Sequence, residues 1–459
     1  MANKLQENAA VGELLHTAAV APSEFLFDFA SLPVLAKASD ATLMGDAGIL
    51  PLRHLDFRLG WSKDFANCFT NLKLANMRQP LDRVLLQRIL GVCAGWEDGN
   101  DHDDLRLNAG WQIAVKGEES LLASQPTISR VENSAEWEDY ERMGELLAKV
   151  GAQQVERAWR GKLPKELLLD LDSTDDPTHG AQQFSLFHAY YEQTQLQVLA
   201  VSEPVSKSIL SAWLLPGTVA PFKSAMRDLE RVQAKFPGVR LHIRGDSGFA
   251  NGELMGQLDK AKMGYTMRLA RNEALLRQVE LDAQLVQDAK KLTGKTEVVY
   301  GKFQHQAGSW EAPRTVLYRC ESGEVEASVC FLVTTHEMKE YTDVLREFEN
   351  YGKRGSFEHR FDELKNDFSM DRLSCTRWRG NMVRVVMHVV AYGLMNMLRM
   401  LDGIPQWLKI ARAKTWTQKI FKAAARIVIS TRRITVNFDK SWPSWLDFTR
   451  VCNAALAFG

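Results

Sequence analysis

The sequence predicts a mixed α/β fold, a strand-rich middle held between two helical regions. Three observations carry this. Residues 81–94 (LDRVLLQRILGVCA) and 136–150 (EWEDYERMGELLAKV) place apolar side chains three and four apart, the period of a helix. From about residue 163 the pattern changes to short apolar runs at close intervals, the mark of strands. Past residue 340 helical spacing returns.

Size and composition agree with a folded, multi-part chain. At 459 residues, 45% hydrophobic and 25% charged, there is material for roughly three domains of ~150 residues. A small stapled scaffold and a disordered tail are both excluded. Cys68, Cys93, Cys320, Cys330, Cys375 and Cys452 form no C-x-x-C pair and no Cys/His zinc spacing, and the first residues lack the basic and apolar stretches of a secretory leader. The expected setting is therefore the cytoplasm, with free thiols. Residues 382–398 (MVRVVMHVVAYGLMNML) are very apolar but carry Arg384, His388 and Asn396, which predicts a buried helix and no membrane partner.

The elements follow in order. Residues 1 to about 155 read as mostly helical. Within them SQPTISRVEN (124–133) starts a helix at Ser124 and Pro126 and sets Ser129 and Arg130 on its first turns, as in the second helix of a helix-turn-helix or in a plain helical hairpin. Segments 166–174 (ELLLDLDST), 184–191, 196–202 and 208–217 predict an antiparallel meander. An amphipathic stretch (221–236) then leads to the alternating strand 239–248, giving a β-β-β-α-β order whose last strand lies parallel in the sheet. A helix (251–263) and a strand (264–271) complete the unit. Residues 297–335 read as a separate β-rich patch, and helices run from there to about residue 434. A final segment with Trp442, Pro443 and Trp445 packs back on the core.

Charge is balanced overall, 57 Lys+Arg against 57 Asp+Glu, but not along the chain. Residues 351–459 hold 19 bases and 8 acids, which leaves 38 and 49 before them. A basic C-terminal quarter suits a phosphate-contacting surface or a solvated helical face. Residues 405–433 hold eight Lys/Arg and no acid at helical spacing, predicting a helix with one face on the core and a basic face towards DNA.

Candidate chemistry begins with Asp170 and Asp172, which project from one face of a strand too apolar to carry charge without compensation. Asp246 stands where strand 239–244 enters a Gly-flanked turn. If these strands are neighbours, Asp172 and Asp246 converge, and oxygen ligands of this kind favour Mg²⁺ or Mn²⁺. Plain turns are the other reading of DSTDDP and GDSG. In YGKRGSFEHRFDELK (351–365), Tyr351, Arg354, Glu358 and Lys365 fall within a stripe of about 60° on a continuous helix. Gly352 and Gly355 leave open a helix that starts only near Ser356, with Tyr351 and Arg354 in the entering turn.

Taken together, LASQPTISRVEN, LDLDSTDDPTHG, the HAYY strand, IRGDSGFA and YGKRGSFEHRFDELKNDFSMDRLSC resemble the DDE transposases of bacterial insertion sequences, in the group with a Tyr-Arg-Glu-Lys signature. The resemblance spans most of the chain. It implies a ribonuclease-H-like catalytic core (156–271 and 338–400) interrupted by a β-rich insertion (272–337). A helical DNA-binding region (1–155) precedes the core and a basic helical region (401–459) follows it. The family's D-x-T context selects Asp172-Ser173-Thr174 over Asp170; its second Asp falls on Asp246 and its Glu on Glu358. These three would be catalytic residues and would hold two Mg²⁺ or Mn²⁺ ions. Tyr351, Arg354 and Lys365 would position DNA, and Trp310 in GSWEAP would hold a flipped base. The implied activity is cut-and-paste transposition on terminal inverted repeats and target DNA by a homodimer. A metal-dependent nuclease without strand transfer and a non-catalytic DNA-binding derivative are the alternatives.

Overall fold

The computed structural model describes residues 24–27, 34–37, 41–71, 77–188 and 192–458, with residues 24–27, 34, 36, 37 and 356–359 described by their backbone alone. Its N-terminal part holds a hairpin of β1 (Glu24–Phe27) and β2 (Val34–Lys37), the two-residue β3 (Leu43–Met44), and helices α1 (Leu50–Leu59), α2 (Trp61–Ala66), α3 (Leu81–Ala94), α4 (Asp101–Leu105), α5 (Ala109–Lys116), α6 (Gln125–Glu132) and α7 (Trp137–Ala158). Helix α6 starts at the predicted Ser124 cap. It buries Ile128, Val131 and Glu132, while Arg130 is exposed and folds back on Pro126 O and Thr127 Oγ1. A reciprocal pair of Glu136 and Asp139 fixes the start of α7. Gly151 lets that helix lie against the sheet, since a Cβ there would stand 2.8 Å from Ile209 O.

The middle of the chain contributes β4 (Glu166–Pro177), β5 (Leu186–His188), β6 (Gln193–Glu203), β7 (Ser208–Pro216), α8 (Phe222–Lys235), β8 (Arg240–Gly245), α9 (Gly252–Lys260) and β9 (Gly264–Leu269). The predicted meander and crossover are present: β4, β6 and β7 pair antiparallel, and β8 returns through α8 to lie parallel to β4, with β9 parallel beyond it. Strand β5 pairs the first residues of β6.

Two sequence expectations need correcting here. The patch 297–335 does not stand apart. Strands β10 (Val298–His305), β11 (Arg314–Glu321) and β12 (Ser328–Thr334) continue the same sheet, because β12 pairs antiparallel with β9 from Phe331↔Leu269 to Thr334↔Thr266. Among the described residues the sheet has nine strands, in the order β10-β11-β12-β9-β8-β4-β6-β5 with β7 also on β6. The segment before these strands is helical, as α10 (Glu273–Gln278) and α11 (Glu280–Thr293); Asn272 caps the first through Leu275 N. That cap and the helical spacing of VELDAQLVQDAKKL were readable signals.

The C-terminal part contains α12 (Tyr341–Gly352), a 3₁₀ turn (Lys353–Phe357), α13 (Glu358–Asn366), α14 (Trp378–Arg399), α15 (Gln406–Ile410), α16 (Ala413–Trp416), β13 (Ala425–Ile429), β14 (Ile434–Phe438) and α17 (Trp445–Leu456). The basic stretch 405–433 is therefore not one helix. Its second half is a hairpin that adds to β3, since ARIVI and ITVNF are β-branched runs. Helix α14 is the core helix expected at 382–398. It is long and apolar enough to cross a membrane, yet 94% of that window lies inside the protein. The three polar residues singled out in the sequence each find a partner: Arg384 meets Glu132 at 2.9 Å, His388 Nδ1 meets Arg384 O at 2.7 Å, and Asn396 bonds Gln154 and Ser206 O.

Candidate active site

Parallel pairing of β4 with β8 builds the site. The register sets Asp170 opposite Arg244. Side chains repeat every two residues along a strand, so the next positions on that face are Asp172 on β4 and Asp246 just beyond β8. Asp246 accepts from Gly248 N at 2.8 Å, which fixes the turn.

Among the described residues, one cation stands between the two carboxylates. Arg354, in the 3₁₀ turn after α12, places a terminal guanidinium nitrogen 3.0 Å from Asp172 Oδ1 and 3.9 Å from Asp246 Oδ2, and donates to Leu171 O at 3.3 Å. Burial pushes Asp172 up to about 6; Arg354 opposes the shift and Asp246 adds to it. Burial also works against the charge of Arg354, but Asp172, Tyr351 and Asp246 outweigh it. Two acids that share one cation, Asp172 buried and Asp246 half-exposed, can accept a divalent ion in its place, so the donor set fits Mg²⁺ or Mn²⁺.

The signature residues arrive from two helices rather than one. Helix α12 ends at Gly352, so Tyr351 occupies its last turn and its hydroxyl donates to Gly245 O at 3.0 Å. Lys365, near the end of α13, donates to Asp175 O at 2.5 Å and lies 3.3 Å from Asp175 Oδ1. Burial raises Asp175, but Lys365 and Gln193 prevail and hold its carboxyl below the ordinary range. Glu358 is the first residue of α13 and follows the Arg354 turn directly; its side chain lies outside the described residues.

Trp310 is placed elsewhere in the fold. It is 7% exposed, packs edge-on to His305 at 5.5 Å between centroids, and lies close to the α9 backbone at Gly252. Its loop position suggested display to a base, but the ring is packed into the core.

Sequence reasoning missed Arg244 and Asp176. Arg244 grips Asp170 with two bonds, 2.7 and 2.9 Å, and both residues are buried. Asp170 is thereby committed to a buried pair with Arg244, while Asp172 faces Arg354 and Asp246. The pairing shows only once the strand register is known: DLD on β4 then faces IRGD on β8, with Arg244 opposite Asp170 and an acid two residues further along each strand. Asp176, four residues beyond Asp172 on the same strand, is 2% exposed and neither carboxylate oxygen has a hydrogen-bond partner. Burial, with Asp371 and Asp175 nearby, pushes it up to about 8.

An acid whose folded pKa lies above its unfolded value stabilises the fold below the unfolded value, and that contribution is lost as pH rises through the folded one. Asp176 thus weakens the fold progressively between about pH 4 and pH 8, by on the order of 5 kcal/mol at about 1.4 kcal/mol per unit. Asp176→Asn is expected to raise Tm at pH 8 and leave it nearly unchanged at pH 4. Equal shifts at both pH values in a thermal melt would refute a protonated Asp176.

The model for "Transposase DDE domain group 1" matches residues 29–457, nearly the whole chain. The chain belongs to that DDE transposase family. A solved structure of a piggyBac transposase synaptic complex with hairpin DNA is also similar to this transposase, with 11% identity and a TM-score of 0.44 over 82% of this chain and 80% of that one. No curated protein matches.

Proposed function

We propose that this transposase belongs to a bacterial insertion sequence and excises and inserts it by cut-and-paste chemistry. In this reading it binds the element's terminal inverted repeats, cleaves them and joins them to target DNA in the cytoplasm, as a homodimer on paired ends. The observation that carries it is the convergence of Asp172 and Asp246 on Arg354 at the ends of two parallel strands. The sheet path β7-β6-β4-β8-β9, three antiparallel strands followed by two parallel ones, supports a ribonuclease-H-like core.

DDE transposases generally use divalent metals. Here Asp172, Asp246 and Glu358 would hold them, and two Mg²⁺ or Mn²⁺ ions would supply an activated water and charge stabilisation at phosphorus. The chain's own residues do the rest. Asp172 and Asp246 offer carboxylate oxygens from a rigid sheet, so the reacting centre is set by strand register. Arg354 neutralises that pair in the resting protein, and its fork geometry suits a phosphate of the scissile strand once metal has taken over the neutralising role. Tyr351, bonded to Gly245 O, keeps the Arg354 turn over β8. Lys365, at the far end of the β4 acids, adds a point charge for the backbone of the same strand.

The test is cleavage and joining of linear DNA that carries the sequences flanking the gene, with Mg²⁺ and with EDTA, for wild type and Glu358→Gln. Metal-dependent nicking at the ends and joined product, both lost in the variant, are expected. Cleavage without joined product would replace this reading with a nuclease, and binding with no metal-dependent chemistry would replace it with a DNA-binding derivative.

A further inference from the structure

We propose that Glu166, His242 and His336 form a second metal centre, of the zinc class, at the end of the sheet away from the catalytic aspartates. Glu166 opens β4 and His242 lies near the start of β8, whereas Asp172 and Asp246 lie towards the other ends of those strands. Six residues of strand at ~3.3 Å each separate Glu166 from Asp172, about 20 Å along the chain. One ligating atom from each of Glu166, His242 and His336 lies within 4.8 Å of the other two.

The surroundings hold both imidazoles as a metal site does. His336 has Nε2 2.9 Å from Glu166 Oε1 and Nδ1 2.9 Å from Glu347 Oε2. His242 has Nε2 2.9 Å from Thr266 Oγ1, which in turn bonds Glu347. One nitrogen of each ring is thus tied, directly or through Thr266, to the same carboxylate. This is the outer support that ligating histidines show. The remaining nitrogen of His242, Nδ1, is buried and has no hydrogen-bond partner, in a residue 1% exposed. A buried orphan nitrogen of this kind calls for a partner.

Thr266 Oγ1 donates to Glu347 and so accepts from His242 Nε2, which leaves the buried Nδ1 of His242 as the nitrogen with a free lone pair. The two rings are stacked, with centroids 3.7 Å apart and planes at 13°. On metal binding, the proton that His336 shares with Glu166 is released to solvent, and the ion takes its place between Nε2 and Oε1. Two imidazoles and a carboxylate select Zn²⁺ over Mg²⁺, which keeps this centre chemically distinct from the all-oxygen set at Asp172 and Asp246. The ion would tie β4 and β8 to the loop ahead of α12, the helix that carries Tyr351.

The test uses full-length protein with Asp172→Asn and Asp246→Asn, stripped with EDTA and titrated with Zn²⁺, Co²⁺ and Mg²⁺. One equivalent of Zn²⁺ per chain, visible ligand-field bands with Co²⁺, and a rise in Tm with Zn²⁺ but not Mg²⁺ are expected. Glu166→Gln and His336→Asn should abolish all three, and Thr266→Val should weaken binding ~10–100-fold, the usual cost of an outer partner. Because variants of a buried cluster can misfold, the histidine ring nitrogens of the unaltered cluster are also followed by NMR during the zinc titration. Zinc that moves the His242 and His336 signals sustains the proposal. No stoichiometric uptake, or uptake that moves other histidines, overturns it.

Discussion

Asp172→Asn is expected to abolish strand cleavage, by ~10³-fold or more, while leaving Tm at pH 7 unchanged or higher. The loss follows from the role of the carboxylate. An ion that polarises a phosphoryl oxygen or activates water contributes several kcal/mol to the barrier, and each 1.4 kcal/mol is about tenfold in rate. An amide keeps the shape of Asp172 but cannot serve as an anionic ligand. The stability expectation follows from burial, which pushes Asp172 up to about 6 against an unfolded value of 3.8. That raised value means the ionised form costs stability at pH 7, and Asn removes the cost. Arg354 loses its 3.0 Å partner but keeps Leu171 O at 3.3 Å and Asp246 at 3.9 Å. A gel-based cleavage assay and a thermal melt on the same preparation check both halves. Retained cleavage would remove Asp172 from the metal set, and a sharp fall in Tm would make it a structural acid.

The strands and crossover that place Asp172 and Asp246 were legible in the sequence because each is a local pattern. An apolar run ending in a turn, an amphipathic helix, and an alternating strand ending at Gly245 together dictate two parallel neighbours. Their register was not legible, and so neither was the opposition of Asp170 and Arg244. Pairing between residues 74 apart in sequence is set by the packing of the whole sheet. The signature segment shows the same limit at shorter range. The spacing of Tyr351, Arg354 and Lys365 is correct for one helical face, yet two glycines divide it into a helix end, a 3₁₀ turn and a new helix. The residues still meet the β4 and β8 ends, from two elements. The hairpin at 425–438 was hidden by its own basic residues, which drew a helical reading although Arg432 and Arg433 only mark the turn. The Glu166, His242 and His336 cluster was out of reach, since its members lie 76 and 94 residues apart in sequence.

Asp170→Asn, two residues from Asp172 and on the same face, is expected to do the opposite and lower stability by about 3–5 kcal/mol. Asp170 is fully buried and Arg244 only 2% exposed, so removing the carboxylate charge strands a guanidinium where water cannot reach it. Arg360 approaches Asp170 Oδ2 at 4.0 Å from α13 and would lose that contact as well. A buried pair is costly to break but need not be costly to replace, so Asp170→Leu with Arg244→Met should recover most of the lost stability. Recovery of the fold should not restore the reaction. Arg244 also donates to Asn350 O, the residue before Tyr351, and so ties the end of α12 to β8 beside Asp246. The double variant is therefore expected to melt near wild type yet cleave DNA slowly, with Arg354 no longer held over the two acids. Normal cleavage by a stable double variant would show that Tyr351 and Gly245 position the turn without help; a double variant as unstable as Asp170→Asn would show that the fold needs the ions themselves.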